Sequence, residues 1–372
     1  MFDVLIIGSG VMGMSVARNL KHNRLNIGII DRDIDGMHAS YKAGGMLGAQ
    51  NEFSNDSPTY RLALKSQQYF KHLNEQLLSE VGSDIEYKET GLIKLAYEPK
   101  DNDKVIAQYK FLTNVNPDVR LLEQQEAYRL TSNNLNIEDI TALYIPNDHQ
   151  INANKYTKAL YQSLEQNNVE RIRHTEVTAI TKDKGMYKVI TNKGDYYASK
   201  VVVAGGAWSH KLLEAQLKER QLTGVKGEVI LMEQEDLDLQ STIFMTNGCY
   251  LVPKNKNRVL IGATSHFDDY SVGVSQSGVD WLMESATHHI PQLKYARKLK
   301  QWSGVRPHIG NEIPIMDEIE KGLFVITGHY RNGILLSPIV GELMSKWIVT
   351  DMKPQILNDF TVEGCVLNGS HD

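Results

Sequence analysis

The sequence predicts an α/β protein in which a doubly wound parallel sheet is joined to a second, α+β unit built on an antiparallel sheet. A strand–glycine turn–helix–strand unit opens the chain, a second strand–turn–helix unit lies near its carboxyl end, and shorter runs with turn signals separate the two. Because parallel strands end at one edge of a sheet, both units are expected to share a sheet with a ligand bound between them.

The amino-terminal unit has the order expected for a dinucleotide-binding motif. An apolar run at 3–7 leads into Gly8-Ser9-Gly10-Val11-Met12-Gly13, a helical pattern follows, and a second apolar run ends on Asp31. The three glycines would allow a tight turn, approach of a pyrophosphate to the backbone, and close packing of helix on sheet. Asp31 would accept hydrogen bonds from ribose hydroxyls, which disfavours a 2′-phosphate. A glycine turn alone also occurs without a ligand; the flanking strand, helix and acid favour a nucleotide here.

Composition bounds the class of protein. The 372 residues suffice for two domains, and 41% hydrophobic with 23% charged residues is ordinary for a globular protein. A net charge of −5 gives no reason to expect nucleic acid or an anionic membrane as partner. No apolar run appears long enough to span a membrane, and the first strand begins too early for a positively charged leader.

Cysteine and histidine usage indicates neither disulfides nor a metal site. Cys249 and Cys365 have no metal-type spacing, so a reducing compartment and a cytoplasmic location are expected. Cys249 is interpreted as a buried apolar residue. The pair His288-His289 and the single His266 have no ligand partners at metal spacing, so we expect no metal.

The remaining elements follow from periodicity and turn residues. A glycine- and alanine-rich segment at 43–49 fits either close approach to a flat ligand or a tight packing crossover. Ser57-Pro58 is predicted to begin a long helix that Gly82 ends, and a second amphipathic helix covers 153–164. Strands are predicted within 85–96, 171–182, 187–191, 196–203, 225–232, 250–252, 258–263, 301–307 and 322–328, a partly helical segment at 101–131, and helices at 279–290 and from Ser337-Pro338 onward, with a loose tail after about 360. By analogy with other doubly wound folds, the three strands within 171–203 are expected to form an excursion that returns the chain to the parallel sheet. The strands at 250–252 and 258–263 are expected to pair through the turn at 254–257.

With these elements in place, the chain resembles the glycine oxidases of thiamine biosynthesis, within the D-amino-acid oxidase and sarcosine oxidase group of flavoenzymes. The resemblance covers nearly the whole length. It is carried by the first glycine motif and by Ala43-Gly44-Gly45-Met46-Leu47-Gly48-Ala49, Val201-Val202-Val203-Ala204-Gly205-Gly206-Ala207-Trp208-Ser209, Gly248-Cys249-Tyr250-Leu251-Val252-Pro253, Gly304-Val305-Arg306-Pro307 and Gly328-His329-Tyr330-Arg331-Asn332-Gly333-Ile334-Leu335.

The resemblance implies a doubly wound, Rossmann-like FAD-binding domain, non-covalent FAD, and a substrate domain. The FAD domain would comprise 1–80, 150–222 and 320–365, and the substrate domain 81–149 and 223–319. The implied cofactor-binding residues are Gly8, Gly10, Val11, Met12, Gly13, Asp31, Arg32, Ala39, Ser40, Gly44, Gly45, Met46, Val177, Gly205, His329, Tyr330, Arg331, Asn332, Gly333, Ile334 and Leu335.

The resemblance also implies that Arg306, Tyr250 and Arg331 form the catalytic and substrate-binding set. A planar guanidinium binds a carboxylate through two parallel hydrogen bonds, and a tyrosine hydroxyl adds a third contact without charge. Without the resemblance, Arg306 would be interpreted as a surface or salt-bridging arginine, Tyr250 as a packing residue and His329 as a loop hydrogen-bonder.

The function implied is oxidation of glycine, with sarcosine and small D-amino acids as further substrates, oxygen as acceptor, and thiazole synthase as recipient of the imine. A homotetramer is also implied. The sequence departs from the family at Gly248, where a histidine is usual, and at Ser265, where a methionine is usual, so the substrate ranking stays open. The alternatives are an amino-acid dehydrogenase of the same fold with another electron acceptor, a non-catalytic flavin- or nucleotide-binding protein, and, from the first motif alone, a nicotinamide dehydrogenase.

Overall fold

The computed structural model of the protein describes residues 1–33, 38–132 and 134–363, apart from the side chain of His22. The strands are β1 (Phe2–Ile7), β2 (Ile27–Ile30), β3 (Met46–Leu47), β4 (Leu92–Leu95), β5 (Arg120–Leu121), β6 (Ala142–Ile145), β7 (His149–Gln150), β8 (Glu170–Ile172), β9 (Val177–Asp183), β10 (Met186–Thr191), β11 (Gly194–Val203), β12 (Thr223–Glu233), β13 (Thr242–Met245), β14 (Tyr250–Lys254), β15 (Arg258–Gly262), β16 (His266–Phe267), β17 (Arg297–His308), β18 (Ile315–Glu320) and β19 (Leu323–Thr327). The α-helices are α1 (Val11–Leu20), α2 (Ala39–Lys42), α3 (Ala49–Glu52), α4 (Pro58–Gln67), α5 (Tyr69–Val81), α6 (Asn102–Leu112), α7 (Gln124–Leu130), α8 (Ala153–Gln166), α9 (Ser209–Leu212), α10 (Glu214–Leu217), α11 (Gln276–His289) and α12 (Gly333–Thr350). Short 3-10 turns lie at Lys21–Asn23, Pro99–Asp101, Gly206–Trp208, Lys218–Arg220, Pro291–Tyr295 and Gln355–Leu357.

The first sheet joins the two ends of the chain, as the sequence predicts. Its order is β18-β19-β11-β1-β2-β8, and β1 pairs in parallel with both β2 and β11. Strand β11 also pairs in parallel with β19, so the strand before each glycine-containing turn ends at one edge. Strands β9 and β10 form an antiparallel meander that returns the chain to β11, which confirms the predicted excursion.

The second sheet is mostly antiparallel and carries the order β16-β12-β15-β14-β13-β4-β6-β5, with β17 paired to the other side of β12. The predicted pairing of β14 with β15 through the turn at 254–257 is confirmed, since Tyr250 faces Gly262 in that register. One strand pair, β13 with β4, is parallel. The sheet therefore assembles strands from both segments of the predicted substrate domain.

Helices cover the first sheet, and α1 and α12 lie against each other. A methyl group added at Gly341 would sit 2.7 Å from Ser15 Cβ, so the two helices approach backbone to backbone. Apolar side chains of these helices form one core with α4, α5, α8 and the inner strands, while a separate cluster fills the opposite face. This packing places the first turns of α1 and α12 side by side at the carboxyl edge of the sheet.

Three predicted boundaries are wrong. The helix predicted from 58 to 81 is two helices, because the chain breaks at Gln68 between α4 and α5. The strand predicted over 171–182 is divided into β8, beside β2, and β9 in the meander. Helix α12 begins at Gly333 rather than at Ser337, and Pro338 lies inside it. Proline has no N–H to donate to Ile334 O, and the Ser337 hydroxyl donates to that carbonyl instead.

Two further expectations change. All of strand β18 except Glu320 lies in the predicted substrate-domain segment 223–319, but the strand pairs with β19 in the first sheet. Helix α12 has the length and hydropathy of a membrane span, with a mean hydropathy of 1.2 over 18 residues, so the expectation that no run qualifies is wrong. Because 67% of that stretch is buried inside the protein, its apolar residues are core residues.

The carboxylate of Glu80 ties α5 to its neighbours. Arg18 and Lys21 lie 2.7 and 2.6 Å from it, and Ser163 of α8 donates at 2.7 Å. Burial alone would raise the pKa of Glu80, but hydrogen bonds from Lys21, Ser163 and Arg18 lower it to about 2. Glu80 therefore stabilises the fold above the ordinary carboxyl pKa, and that contribution is lost as pH falls towards 2.

We expect Glu80→Gln to lower the free energy of unfolding by about 1–3 kcal/mol at pH 7, because four donors lose their charged acceptor, the fourth being Asn167 Nδ2 at 2.8 Å. The difference from the wild type should shrink as pH falls below about 4.5. Chemical denaturation at several pH values measures it. Glu75→Gln is the matched control, since Glu75 is exposed on the same helix. A loss that does not depend on pH would contradict this role.

Candidate active site

A cavity of about 680 Å³ lies between the carboxyl ends of β1, β2, β11 and β19 and the second sheet. Every site residue predicted from the sequence lines it except Gly13 and Leu335. Gly13 sits behind the lining, where its Cα packs against the backbone of Gly8, and Leu335 is buried in the core on α12. For these two residues the structure supports a packing role in place of the predicted cofactor contact.

The glycine turn after β1 forms one wall. Gly8 has a φ of +105°, and a methyl group there would lie 2.4 Å from Ala204 O at the end of β11. A methyl group at Gly13 would lie 2.0 Å from Gly8 O, so only glycine lets α1 start this close to the strand. Gly10 faces the cavity with Ser40 Oγ as the nearest atom to such a methyl, at 3.4 Å. The Val11 N–H donates to Ser40 Oγ at 3.0 Å, and the turn leaves the next N–H groups of α1 open to an anion.

Asp31 is held in place beside this turn. The Ser9 N–H and hydroxyl donate to Asp31 Oδ2 at 2.7 and 2.8 Å, and the Asp33 N–H donates to Oδ1 at 3.0 Å. Ligand atoms of Asp31, Asp33 and His38 lie within 4.8 Å of one another, a geometry that the sequence did not reveal. Because these carboxylates already accept hydrogen bonds from the protein, this group carries no metal proposal.

The same end of the cavity is closed by an aromatic residue that the sequence analysis did not assign. The Arg32 guanidinium lies 4.2 Å from the centre of the Trp208 ring, and Trp208 also contacts Tyr270. Trp208 follows the small-residue turn after β11, and its position in that motif is the sequence feature that could have indicated a place in the site. Arg32, Trp208 and Val177 line this end of the cavity, where a flat guanidinium and an indole ring could stack on an adenine ring.

The segment after β19 forms the opposite wall. His329 is 4% exposed, its Nε2 has no hydrogen-bond partner among the described residues, and burial lowers its pKa to about 3. It is therefore neutral at physiological pH. The N–H of Tyr330 donates to Pro307 O at 2.8 Å, which ties this segment to the loop after Arg306. Helix α12 begins at Gly333, and because Asn332, Gly333 and Ile334 all line the cavity, its first N–H groups face the cavity.

Tyr250 lies between the two sheets with its ring against Gly44. A methyl group at Gly44 would be 3.1 Å from Tyr250 Cε2, and one at Gly262 would be 2.6 Å from its Cζ, so glycine is needed on both sides of the ring. Burial raises the pKa of the Tyr250 hydroxyl, while Arg306 and Arg331 act in the opposite direction. The phenol is therefore protonated, and it makes no hydrogen bond to any residue that the structure describes.

Arg306 presents its guanidinium beside Tyr250. It lies on β17 opposite Val225, and a methyl group at Gly227 would come within 2.2 Å of its Nη2. Nη1 donates to Thr264 O at 3.2 Å and to Ser265 Oγ at 3.4 Å. No carboxylate of the described chain lies within ion-pair distance of Arg306. Burial lowers its pKa, but the ordinary value of arginine is high enough for the group to remain charged.

Arg331 differs because it already has an acidic partner. Its Nη2 lies 3.0 Å from Glu52 Oε1, and its guanidinium lies 4.9 Å from the centre of the Phe244 ring. Burial acts to lower the pKa of Arg331, but Glu52 outweighs it and the pKa is raised. Lys94 Nζ lies 5.8 Å from the centre of the same Phe244 ring, and burial lowers the pKa of Lys94 to about 8. Glu52 and Lys94 were not predicted as site residues. The sequence feature that could have indicated Glu52 is its position shortly after the glycine-rich segment.

Glu228 is a second acid that the sequence analysis did not assign. It is fully buried and accepts from Ser275 N at 2.9 Å and Lys226 Nζ at 3.2 Å. Burial acts to raise its pKa, but the hydrogen bonds from Ser275 and Lys226 lower it. Its backbone N–H donates to Thr264 Oγ1 at 3.0 Å, next to the carbonyl that Arg306 contacts. Glu228 therefore anchors the start of α11 behind the Arg306 end of the cavity.

These features fit the FAD that the sequence analysis expects. Two helix N-termini and Gly10 offer room and N–H groups for a pyrophosphate, and the unpartnered His329 nitrogen and the open space at Gly333 face the other end. A family model described as FAD dependent oxidoreductase matches residues 3–347.

Similar individual proteins also belong with the FAD-dependent oxidoreductases. The chain is 38% identical over 347 residues to the glycine oxidase of Geobacillus kaustophilus, covering 92% of each chain. The crystal structure of glycine oxidase from that organism superposes with a TM-score of 0.92 at 37% identity, covering 97% of this chain and 98% of that one. The "Bifunctional protein ThiO/ThiG" of a Nostoc species is 28% identical over 364 residues, which are 96% of this chain and 54% of that protein. The chain belongs to the FAD-dependent oxidoreductase family that includes the glycine oxidases.

Proposed function

We propose that the protein is an FAD-dependent oxidase that converts glycine, and secondarily sarcosine or small D-amino acids, to an imine. Water then yields glyoxylate and ammonia, and oxygen is reduced to hydrogen peroxide. The glycine oxidases among the similar proteins support this assignment. A nicotinamide dehydrogenase is excluded because the family uses FAD.

The observation that carries the proposal is the free guanidinium of Arg306. It lines the cavity beside the protonated Tyr250 hydroxyl, and no described carboxylate neutralises it. Two parallel N–H groups would bind the substrate carboxylate, and the tyrosine would add a third hydrogen bond. Such a three-point contact orients the Cα hydrogen of a small amino acid without contacts to a side chain.

Bound FAD would supply the chemistry by accepting the hydride from Cα and passing the electrons to oxygen. The chain's contribution is orientation and charge. The N–H groups that open α12 would stabilise negative charge that develops at that wall, and His329, being neutral, adds no charge of its own there. The substrate amine loses its proton before the hydride leaves, and we assign no general base.

Gly248 and Ser265 bear on the substrate ranking. Gly248 has a φ of +92°, and a side chain there would meet nothing within 4 Å, so the cavity is open above Tyr250. Ser265 places a hydroxyl next to Arg306. This open, polar end favours acceptance of substrates larger than glycine alongside glycine itself.

The test is an anaerobic visible spectrum of the purified protein before and after glycine. We expect a yellow protein whose flavin absorbance bleaches with glycine, because hydride transfer reduces the cofactor. Admission of air should restore the absorbance with one hydrogen peroxide per glycine. L-Alanine is the control. When its carboxylate and Cα hydrogen are placed where a D-amino acid has them, its methyl group points away from the position that the side chain of the D-amino acid takes.

Each alternative has a different outcome. Bleaching by glycine without recovery or peroxide in air would favour a dehydrogenase with another acceptor. A yellow protein that no amino acid bleaches would favour a non-catalytic flavoprotein.

We further propose that the imine passes to a thiazole synthase, which rests on the fused relative described as ThiO/ThiG. A cytoplasmic location and a homotetramer complete the proposal. The cytoplasmic location rests on Cys249, which is buried and forms no disulfide. The homotetramer rests only on the resemblance to the glycine oxidases. Size-exclusion chromatography with light scattering tests the tetramer.

A further inference from the structure

The ammonium group of Lys254 is inserted behind the glycine-rich segment that lines the cavity. Its Nζ donates to Gly44 O at 2.9 Å, to Ile151 O at 3.0 Å and to Gln150 Oε1 at 3.4 Å. All three hydrogen atoms of the ammonium group are therefore used on neutral oxygens. Lys254 itself is not a cavity-lining residue, so it supports the wall from outside.

No carboxylate of the described residues forms an ion pair with Lys254. The acid that acts on its pKa is Glu86, which is engaged by Lys155 at 2.8 Å and by Asn152 at 2.9 Å. Lys88 is the other charged group that acts on it, with the same sign as its own. Burial is the largest influence and lowers the pKa of Lys254 to about 7. A cation kept in such surroundings is costly, which favours a role beyond packing.

The contact with Gly44 O determines which way the next N–H points. In a trans peptide the carbonyl and the following N–H point in opposite directions, so the Gly45 N–H points away from Lys254. It has no hydrogen-bond acceptor among the described residues, and Gly45 lines the cavity. The peptide cannot rotate freely, because Ile151 N donates to Gly45 O at 2.8 Å and a methyl group at Gly45 would lie 2.1 Å from Ile151 O.

Lys254 and Tyr250 act on the same glycine from one strand. They are four residues apart on β14, so alternation places both on the same face of the sheet. Tyr250 packs its ring against the Cα of Gly44, while Lys254 holds the carbonyl of Gly44. A shift of this glycine would therefore move both the cavity wall and the tyrosine.

We propose that Lys254 is a positioning residue whose ammonium group orients the 44–45 peptide, presenting the Gly45 N–H to bound FAD and holding Tyr250 in register. The first part rests on the FAD family alone, and the second part rests on the proposed oxidase function. The charged form is the active one, since a neutral amine has only two N–H groups and a lone pair for three acceptors. FAD affinity should therefore fall as pH rises through about 7.

The test compares Lys254→Met with Lys254→Arg and with Lys256→Met. Lys256 is exposed in the turn that follows β14, so its replacement makes the same chemical change without these contacts. Apoprotein of each variant is titrated with FAD from pH 5.5 to 9, with quenching of flavin fluorescence as the signal. Far-UV circular dichroism and the Tm of each apoprotein show whether it is folded.

We expect Lys254→Met to raise the Kd for FAD about tenfold or more at pH 6, the effect of losing hydrogen bonds from a charged donor. Its Kd should no longer depend on pH near 7. Lys254→Arg, which stays charged, should bind FAD more tightly than Lys254→Met and also lose the pH dependence. Lys256→Met should match the wild type at every pH.

A Kd for Lys254→Met within twofold of the wild type at pH 6, or an unchanged pH dependence in that variant, would overturn the proposal. If Lys254→Met does not fold, the test uses the pH dependence of the Kd for FAD in the wild type and in Lys254→Arg. A wild-type Kd that does not change across pH 7 overturns the proposal. These readouts need no turnover. Failure of glycine to bleach the flavin would reject the proposed oxidase function while leaving the orientation of the Gly45 peptide supported.

Discussion

Arg306→Ala is expected to raise KM for glycine by about 30- to 1000-fold, which corresponds to a loss of about 2–4 kcal/mol of binding free energy. The substrate carboxylate would lose a guanidinium that no carboxylate of the described residues pairs with, whereas Arg331 is held by Glu52. The remaining contact from Tyr250 is a single neutral hydrogen bond. Steady-state kinetics with glycine, together with rapid-reaction measurement of flavin bleaching, separate the loss of binding from any change in the chemical step.

Two controls make this result specific. Arg306→Lys keeps the positive charge but loses the two parallel N–H groups, so its KM should lie between those of the wild type and the alanine variant. Arg297→Ala changes the same residue type on the same strand, at an exposed position that contacts Glu233, and should leave glycine kinetics unchanged. FAD content should stay at the wild-type level in all three variants. Unchanged glycine kinetics in Arg306→Ala would remove Arg306 from the substrate site.

The second large effect is expected at the first glycine motif. Gly13→Ala should abolish FAD binding and lower the free energy of unfolding by about 1–3 kcal/mol. The added methyl group would lie 2.0 Å from Gly8 O. Because the methyl carbon is fixed to Cα and Gly8 O is a backbone atom, no side-chain rotation relieves the contact. Helix α1 would have to move away from β1, which would displace the N–H groups that the pyrophosphate requires.

The measurement is flavin content after purification together with chemical denaturation of the apoprotein. Gly310→Ala is the control, because the nearest atom to its added methyl group is the end of the flexible Gln221 side chain, at 3.0 Å. That variant should keep its flavin and its stability. A yellow, stable Gly13→Ala protein would show that the backbone can relax here and would contradict the close-packing role.

The parts of the fold that were predicted correctly depend on local pattern. An apolar strand followed by a glycine turn and a helix has few alternatives, so β1, α1 and β19 and their common sheet could be derived from the order of residues. The hairpin of β14 and β15 followed from alternation and its turn residues. Interruptions of a helix within a continuous apolar pattern could not be predicted from residue order. The interruption of the helix at Gln68 and the start of α12 before Pro338 depend on packing between helices, which residue type reports only weakly.

The site shows the same division. The resemblance supplied the identities of Arg306, Tyr250 and the glycine-rich segments, and the structure brings them to one cavity. It did not supply Glu52, Trp208 or Glu228, because an isolated acid or tryptophan carries no signal until its neighbours are known. The pairing of Arg331 with Glu52, which leaves Arg306 as the guanidinium free for a substrate, joins residues that are far apart in the chain.

By itself, the amino-acid sequence determined the fold class, the dinucleotide motif and the membership of a flavoenzyme group, because these depend on short segments whose residues are adjacent. Only the tertiary structure decided which charges are paired, which N–H groups are free and which side chains are behind the cavity wall. Lys254 illustrates the reason. Its pKa and its role depend on oxygen atoms of Gly44, Gln150 and Ile151, and folding alone brings those atoms to a lysine more than a hundred positions away.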